Sequence, residues 1–110
     1  MAHAAIEITS AAHWQEIVAS AGGLPIIMDF TATWCPPCQM IKPIYEGYAQ
    51  QYKGKAILVK VDVDDRSDIA QQFGIECMPT FIAYIGGQVM EKMEGANKDK
   101  LAAMIAKYAK

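Results

Sequence analysis

Two thiols separated by two prolines, Cys35-Pro36-Pro37-Cys38, carry the most pointed chemistry in the chain. A thiolate attacks a disulfide sulfur, and a second thiol held close by then attacks the resulting mixed disulfide, so a pair at this spacing performs reversible exchange. The flanking residues put the pair where a strand gives way to a helix. There, unpaired backbone N–H groups and the helix dipole stabilise a thiolate. The first cysteine of such a pair is expected at the helix end, exposed and activated, with the second a turn inward. Pro36 and Pro37 lack backbone N–H groups and have a fixed φ, which suits a first helical turn and stiffens the bridge. Zinc uses the same spacing but needs four ligands, and only Cys77, His3 and His13 remain to complete a set, so no metal is expected. A static bridge across so short a loop would stabilise little.

The elements that must hold these thiols can be read from periodicity and punctuation. Ala5 to Thr9 reads as a short strand (β1), and Ser10 as the N-cap of a helix (α1) ending at Gly22-Gly23. Pro25 to Thr31 (β2) is apolar on both faces except for Asp29, as expected of a central strand covered on both sides. After the cysteines, Ile41, Ile44, Tyr45, Tyr48 and Tyr52 recur at helical spacing toward Gly54 (α2), and Pro43 inside that span predicts a kink. Ala56 to Val63 (β3) is a second apolar strand, interrupted by Lys60, and Ser67 to Phe73 (α3) a short helix closed by Gly74. Thr80 to Ile85 (β4) and Gln88 to Met93 (β5) flank Gly86-Gly87, which suits a primed hairpin turn and turns the sheet antiparallel. Leu101, Met104, Ile105 and Tyr108 line one face of a last helix (α4) that Asn97 can cap. The order β1α1β2α2β3α3β4β5α4 predicts an α/β fold, a central mixed five-stranded sheet with four helices on its two faces.

Composition agrees with that architecture and removes other classes. The 110 residues suit one domain, read as residues 1–110 without linker or repeat. Isoleucine and valine total 18 against 3 leucines, a bias that favours sheet over a helical bundle. Ten basic and twelve acidic residues give a net charge of -2 with no basic stripe, which argues against nucleic-acid binding. The stretch from Ile17 to Ile41 carries only Asp29 as a charge, but Gly22, Gly23, Pro25, Pro36 and Pro37 break it up, so no membrane span is expected. The N-terminus lacks a basic region followed by an apolar run, so no secretory signal is expected, although a processed precursor would look the same. Three unevenly spaced cysteines do not make a disulfide scaffold, and a cytosolic redox or metal role fits them better.

The run from Asp29 through Trp34-Cys35-Pro36-Pro37-Cys38 to Pro43, with Lys60-Val61-Asp62, Met78-Pro79-Thr80-Phe81 and Gly95, resembles the thioredoxin family from Ile6 to the last helix. It is most similar to the cytosolic thioredoxins of plant h type. The resemblance implies the thioredoxin fold, reduction of protein disulfides, no bound cofactor, re-reduction by a thioredoxin reductase, disulfide-containing client proteins and a cytoplasmic location. By position, Cys35 matches the family's nucleophile, Cys38 its resolving cysteine, and Trp34 the aromatic residue beside them. Pro79 matches a cis proline packed against the cysteines, and Met78 before it would offer backbone groups to an extended client. Trp34, Pro36, Ile75, Met78 and Ala96 are then expected to form an apolar docking rim. Asp29 matches a buried acid behind the site, and a lone carboxylate in an apolar strand should have a raised pKa and exchange a proton with Cys38. Neutralisation by Lys60 is the structural alternative for Asp29, and both roles can coexist.

Pro36 departs from the glycine common in the family. A disulfide isomerase or oxidase tuned by Pro36 is therefore an alternative, against which Pro37 argues because those branches usually carry histidine there. Tryparedoxins share the Trp-Cys-Pro-Pro-Cys motif but are longer. A second alternative is a redox-sensitive binding subunit without turnover. The intact set Cys35, Cys38, Asp29, Lys60 and Pro79 favours the enzyme. Asp62, Asp64 and Asp65 lack the glycine and the downstream glutamate of a cation loop and read as a strand end and helix entry. Met28, Met40, Met90 and Met104 read as core gap-fillers, and His3 and His13 as surface residues. Cys77, two residues before Pro79, is expected at the rim of the docking face. There it either links two copies of an otherwise monomeric chain or takes a glutathione adduct under oxidation, or else serves as an inert small hydrophobe.

Overall fold

The computed structural model describes residues 4–109. The elements run β1 (Ile6–Glu7), α1 (Ala11–Ser20), β2 (Ile26–Thr31), α2 (Pro36–Gln51), β3 (Ile57–Asp62), α3 (Ser67–Gln72), β4 (Thr80–Ile85), β5 (Gln88–Glu94) and α4 (Lys98–Tyr108). The strands form one sheet in the order β1-β3-β2-β4-β5, with β1, β3 and β2 parallel and β4 and β5 antiparallel to their neighbours. The order of elements along the chain and the antiparallel turn at Gly86-Gly87 agree with the sequence reading. Those two glycines adopt φ of 59° and 84°, which a side chain at either position would oppose.

The sheet separates two apolar layers by the period-two alternation of its strands. Met28, Phe30, Val59, Val61 and Ile82 face one way, packing with Trp14 of α1 and Ile69 of α3. Trp14 meets Tyr84 and Phe73 edge-on, with ring centroids 5.3 and 5.8 Å apart. Ile27, Leu58, Phe81 and Ala83 face the other way, against Ile41 and Tyr45 of α2 and Leu101, Met104 and Ile105 of α4. By the same alternation Asp29 of β2 and Lys60 of β3, which are register partners, point toward α2.

Boundaries differ from expectation where pairing decides them. The first strand shortens from residues 5–9 to Ile6–Glu7, which stand opposite Val59 and Lys60. Thr9 instead gives its N–H to His13 Nδ1 at 3.0 Å, while Ser10 Oγ accepts the His13 N–H as the helix cap. His13 thus works at the entry to α1, and His3 lies outside the described residues. Asn97 caps α4 through the Lys100 N–H, as its position predicted. Pro43 lies inside α2, where it removes one N–H from the helical ladder.

Two of the four methionines expected in the core are not there. Met28 and Met104 are buried, but Met40 is 72% exposed and Met90 also faces solvent. Met40 lies off the stripe of α2 that buries Cys38, Ile41, Tyr45 and Ala49. Met90 falls at the β4–β5 register shift, where Ala83 pairs with Glu91 and Tyr84 with Val89, so it is the extra residue of a bulge. Among the described residues no helix is long and apolar enough to cross a membrane.

Candidate active site

Cys35 is the N-cap of α2 and has extended backbone angles, φ -97° and ψ 107°, while Pro36 and Pro37 occupy the first two helical positions. Those prolines remove two N–H groups that a helix start would otherwise leave unpaired. The first N–H the helix offers is then that of Cys38, and it donates to Cys35 Sγ at 3.3 Å. Cys35 and Cys38 are joined as a disulfide with their Cα atoms 5.3 Å apart. On reduction the same N–H and the helix dipole face a Cys35 thiolate, the form that attacks disulfides.

The expectation of an exposed first cysteine is overturned, since Cys35 is 4% and Cys38 2% exposed. Ala32 packs with both cysteines, Val63 and Met78 close over them, and Cys35 Sγ lies 3.8 Å from the Met78 carbonyl oxygen. What stands out instead is the next residue, for Trp34 is 63% exposed. Its indole Nε1–H donates to Asp64 Oδ2 at 2.7 Å, tying the rim of the site to the end of β3. Sequence reasoning missed Asp64 in this role, and no local spacing links residues 30 positions apart. Asp62 Oδ1 accepts the N–H groups of Asp64 and Asp65, which shapes the loop that presents Asp64.

The Met78–Pro79 peptide is cis, in agreement with the family resemblance, and Pro79 is buried. Thr80 Oγ1 donates to the Cys77 carbonyl at 2.6 Å, and the Gly95 N–H donates to the Pro79 carbonyl at 2.9 Å. Gly95 has φ of 102° and brings Ala96 beside this loop. Of the expected rim residues, Met78 packs against the disulfide, and Pro36 and Trp34 are exposed at the helix start. Ala96 packs with the α2/α4 layer and Ile75 with the α1/α3 layer. Met40 joins Ala96, Ile41, Ile44 and Lys98 around a shallow groove of about 100 Å³. Cys77 carries an exposed free thiol, so it is not a buried hydrophobe. Partial desolvation and a hydrogen bond to the Glu94 carboxylate push that thiol up from its ordinary pKa.

Asp29 borders a cavity shared with Ala32, the residue packed against both cysteines. It is 5% exposed, and burial pushes its carboxyl up to about 7, with Lys60 opposing and Glu46 adding to the rise. Lys60 does not neutralise it by direct pairing. The ammonium bonds Glu46 Oε2 at 3.3 Å, and Asp29 Oδ1 has no hydrogen-bond partner among the described residues. Glu46, unnoticed in the sequence, thus belongs to the site. Tyr45 beside it shares its hydroxyl proton between the carbonyls of Ile27 and Val59, at 2.9 and 2.7 Å. A cavity of about 150 Å³, large enough for water, borders Asp29, Ala32, Gln39, Tyr45, Glu46 and Lys60.

Comparison with known proteins matches this geometry. The thioredoxin family model matches residues 5–107. Thioredoxin H-type of Chlamydomonas reinhardtii is 44% identical over 111 residues, covering 99% of this chain and 98% of that one. Thioredoxin H4 of Arabidopsis thaliana is 49% identical over 83 residues, 76% of this chain and 70% of that one. The crystal structure of thioredoxin NaTrxh from Nicotiana alata superposes with a TM-score of 0.91 at 37% identity, covering 100% of this chain and 96% of that one. With the fold, the helix-capping disulfide and these relatives in agreement, the chain belongs to the thioredoxin family of protein-disulfide reductases, with Cys35 and Cys38 as its redox couple.

Proposed function

We propose that the two cysteines act in a fixed order and that Asp29 serves the second step. The Cys35 thiolate attacks one sulfur of a client disulfide, forming a mixed disulfide and releasing the first client thiolate. Cys38 then gives its proton to Asp29 and attacks Cys35 Sγ. The Cys35–client bond breaks, the second client thiolate leaves, and the dithiol has supplied both electrons. A carboxyl whose pKa stands at about 7 is matched to a thiol for this transfer near neutral pH. Lys60 tunes that carboxyl, Pro37 and Pro43 set the rigidity of α2, and Gly95 holds the Pro79 loop in place.

Clients dock as extended segments along Met78 and Pro79, over the rim of Trp34, Pro36, Ile75 and Ala96. A thioredoxin reductase returns the electrons, no cofactor is bound, and the chain works as a single domain in the cytoplasm, where thiols are kept reduced. Cys77 adds a second redox behaviour to this face. Peroxide joins two otherwise monomeric copies through a Cys77–Cys77 disulfide, two thiols and one peroxide giving one disulfide and two waters.

The observation that carries the reading is the Cys38 N–H directed at Cys35 Sγ on a helix whose first two positions are prolines. It is tested by following NADPH oxidation with a thioredoxin reductase and a protein disulfide. Turnover that depends on both cysteines supports it. Reduction of the Cys35–Cys38 bond without any transfer to the client would leave only a redox-sensitive binding subunit.

A further inference from the structure

Glu46 takes no step in the exchange itself, yet it reaches two elements from α2. Its Oε1 accepts the Ala5 N–H at 2.9 Å, just before β1, and its Oε2 bonds Lys60 Nζ on β3 at 3.3 Å. Lys60 is the register partner of Asp29 on the neighbouring strand. An ammonium in that position would ordinarily satisfy the buried carboxylate beside it, because an unpartnered buried charge is costly. Here the ammonium bonds the helix residue and Asp29 Oδ1 has no partner among the described residues.

We infer that Glu46 is a positioning residue for the exchange reaction: it holds the Lys60 ammonium away from Asp29 and so keeps Asp29 a carboxyl that takes and returns a proton. This rests on the reading of Asp29 as the proton acceptor of Cys38. The balance is simple, since Cys38–SH and Asp29–COO⁻ become Cys38–S⁻ and Asp29–COOH, and the departing client thiolate recovers the proton. A direct Asp29–Lys60 pair would favour the ionised carboxylate and make it a weaker base.

Among the described residues, the other titratable groups around the same cavity are Glu7 on β1, Lys42 and Tyr45 on α2, and Asp62 on β3. Glu7 and Lys42 are exposed and therefore screened. Asp62 Oδ1 is committed to two backbone N–H groups, and burial pushes the Tyr45 phenol far up, so it stays neutral. Among the described residues, Glu46 and Lys60 remain as the charges that set the field at Asp29, one raising and one lowering its affinity for a proton.

The test is a carbon-13 titration of the Asp29 carboxyl in the full chain, paired with single-turnover kinetics of mixed-disulfide resolution across pH. Glu46→Gln keeps an oxygen for the Ala5 N–H but releases Lys60. The Asp29 midpoint is expected to fall by about one pH unit, and the kinetic inflection to fall with it. In a Lys60→Gln background the same replacement should move the midpoint by less than half as much. An unchanged midpoint in Glu46→Gln overturns the inference, and so does an equal shift with and without Lys60, which would make Glu46 a bare charge. Lys60→Gln alone, which leaves α2 intact, should raise the midpoint by less than Glu46→Gln lowers it, and a larger rise overturns the inference as well. Asp29→Asn separates the underlying reading. If its resolution kinetics keep the wild-type inflection while Glu46→Gln still shifts the carboxyl, the assignment of Asp29 as acceptor fails, and the kinetic role of Glu46 fails with it.

Discussion

Replacing Asp29 by asparagine should change stability by an amount that depends on pH in a defined way, favouring asparagine more as pH rises. The folded carboxyl titrates at about 7 against an ordinary value of 3.8. Below the ordinary value it is protonated in the folded and unfolded chains alike and costs nothing. Between the two values the unfolded chain ionises while the folded chain stays neutral, so stability falls as pH rises, and above the folded value the loss is complete. A rise of roughly three pH units, at about 1.4 kcal/mol each, sets the loss at no more than about 4 kcal/mol. Asparagine does not titrate. Its unpaired amide adds a cost of about 1 to 3 kcal/mol, but that cost is the same at every pH. The difference between the two proteins should therefore grow by up to about 4 kcal/mol from acid to mildly alkaline solution. Urea denaturation of both oxidised proteins at a series of pH values measures it, the disulfide removing the titration of Cys35 and Cys38 from the comparison. With a urea slope of about 2 kcal/mol per molar, the difference between the two midpoints should change by up to about 2 M across that range. Parallel stability curves from acid to alkaline pH would refute the assignment of a raised Asp29.

Three further outcomes follow from the site. Cys38→Ser should accumulate clients as mixed disulfides through Cys35 while Cys35→Ser captures few, and equal capture on non-reducing gels would overturn the assigned order. Asp64→Ala removes the partner of the Trp34 indole and should lower kcat/KM for a protein client roughly fivefold, about 1 kcal/mol, with the fold intact by circular dichroism. Mild peroxide should produce a dimer from the wild type but not from Cys77→Ser. Its yield should rise toward alkaline pH because the Cys77 thiol is pushed up and the thiolate reacts. A dimer in both proteins, or in neither, would exclude the Cys77 link.

What could be read in advance was whatever the chain encodes locally. The prolines between the cysteines, the alternation in β2 and β3, the glycine pair at residues 86 and 87 and the caps at Ser10 and Asn97 each act within a few residues of themselves. Periodicity and turn chemistry therefore exposed them. The partners of Trp34 and Lys60 were not legible, because each bond joins two elements whose approach depends on the packing of the whole sheet. Glu46 follows the buried Tyr45 on α2, and helical spacing alone leaves open whether its carboxylate turns to solvent or back toward β3. Met40 shows the same limit from the other side. It is as apolar as Ile41, but lies about 100° around the helix from it, and that angle decides which residue is buried. The misplaced expectation for Cys35 has a related cause. Helix position identified it as the activated cysteine, but the Met78–Pro79 loop that covers it comes from distant sequence.

The arrangement around Asp29 is hard to explain by stability alone. A lysine on β3 in register with an aspartate on β2 could lower the cost of the buried acid by bonding it, yet it bonds Glu46 instead. The cost retained is a sizeable part of the 5 to 15 kcal/mol, roughly, by which a typical domain is stable. The proposed role of Asp29 in exchange supplies a reason. A fully paired Asp29 would be a poor proton acceptor for a thiol, whereas a carboxyl titrating at about 7 is half ionised at neutral pH and can pass a proton either way. The same tension runs through the start of α2, where Cys35 spends its capping position on a sulfur rather than on the stronger oxygen acceptors preferred there. In both places the residue that would hold the fold most tightly is absent, and the residue present is one that can move an electron pair or a proton.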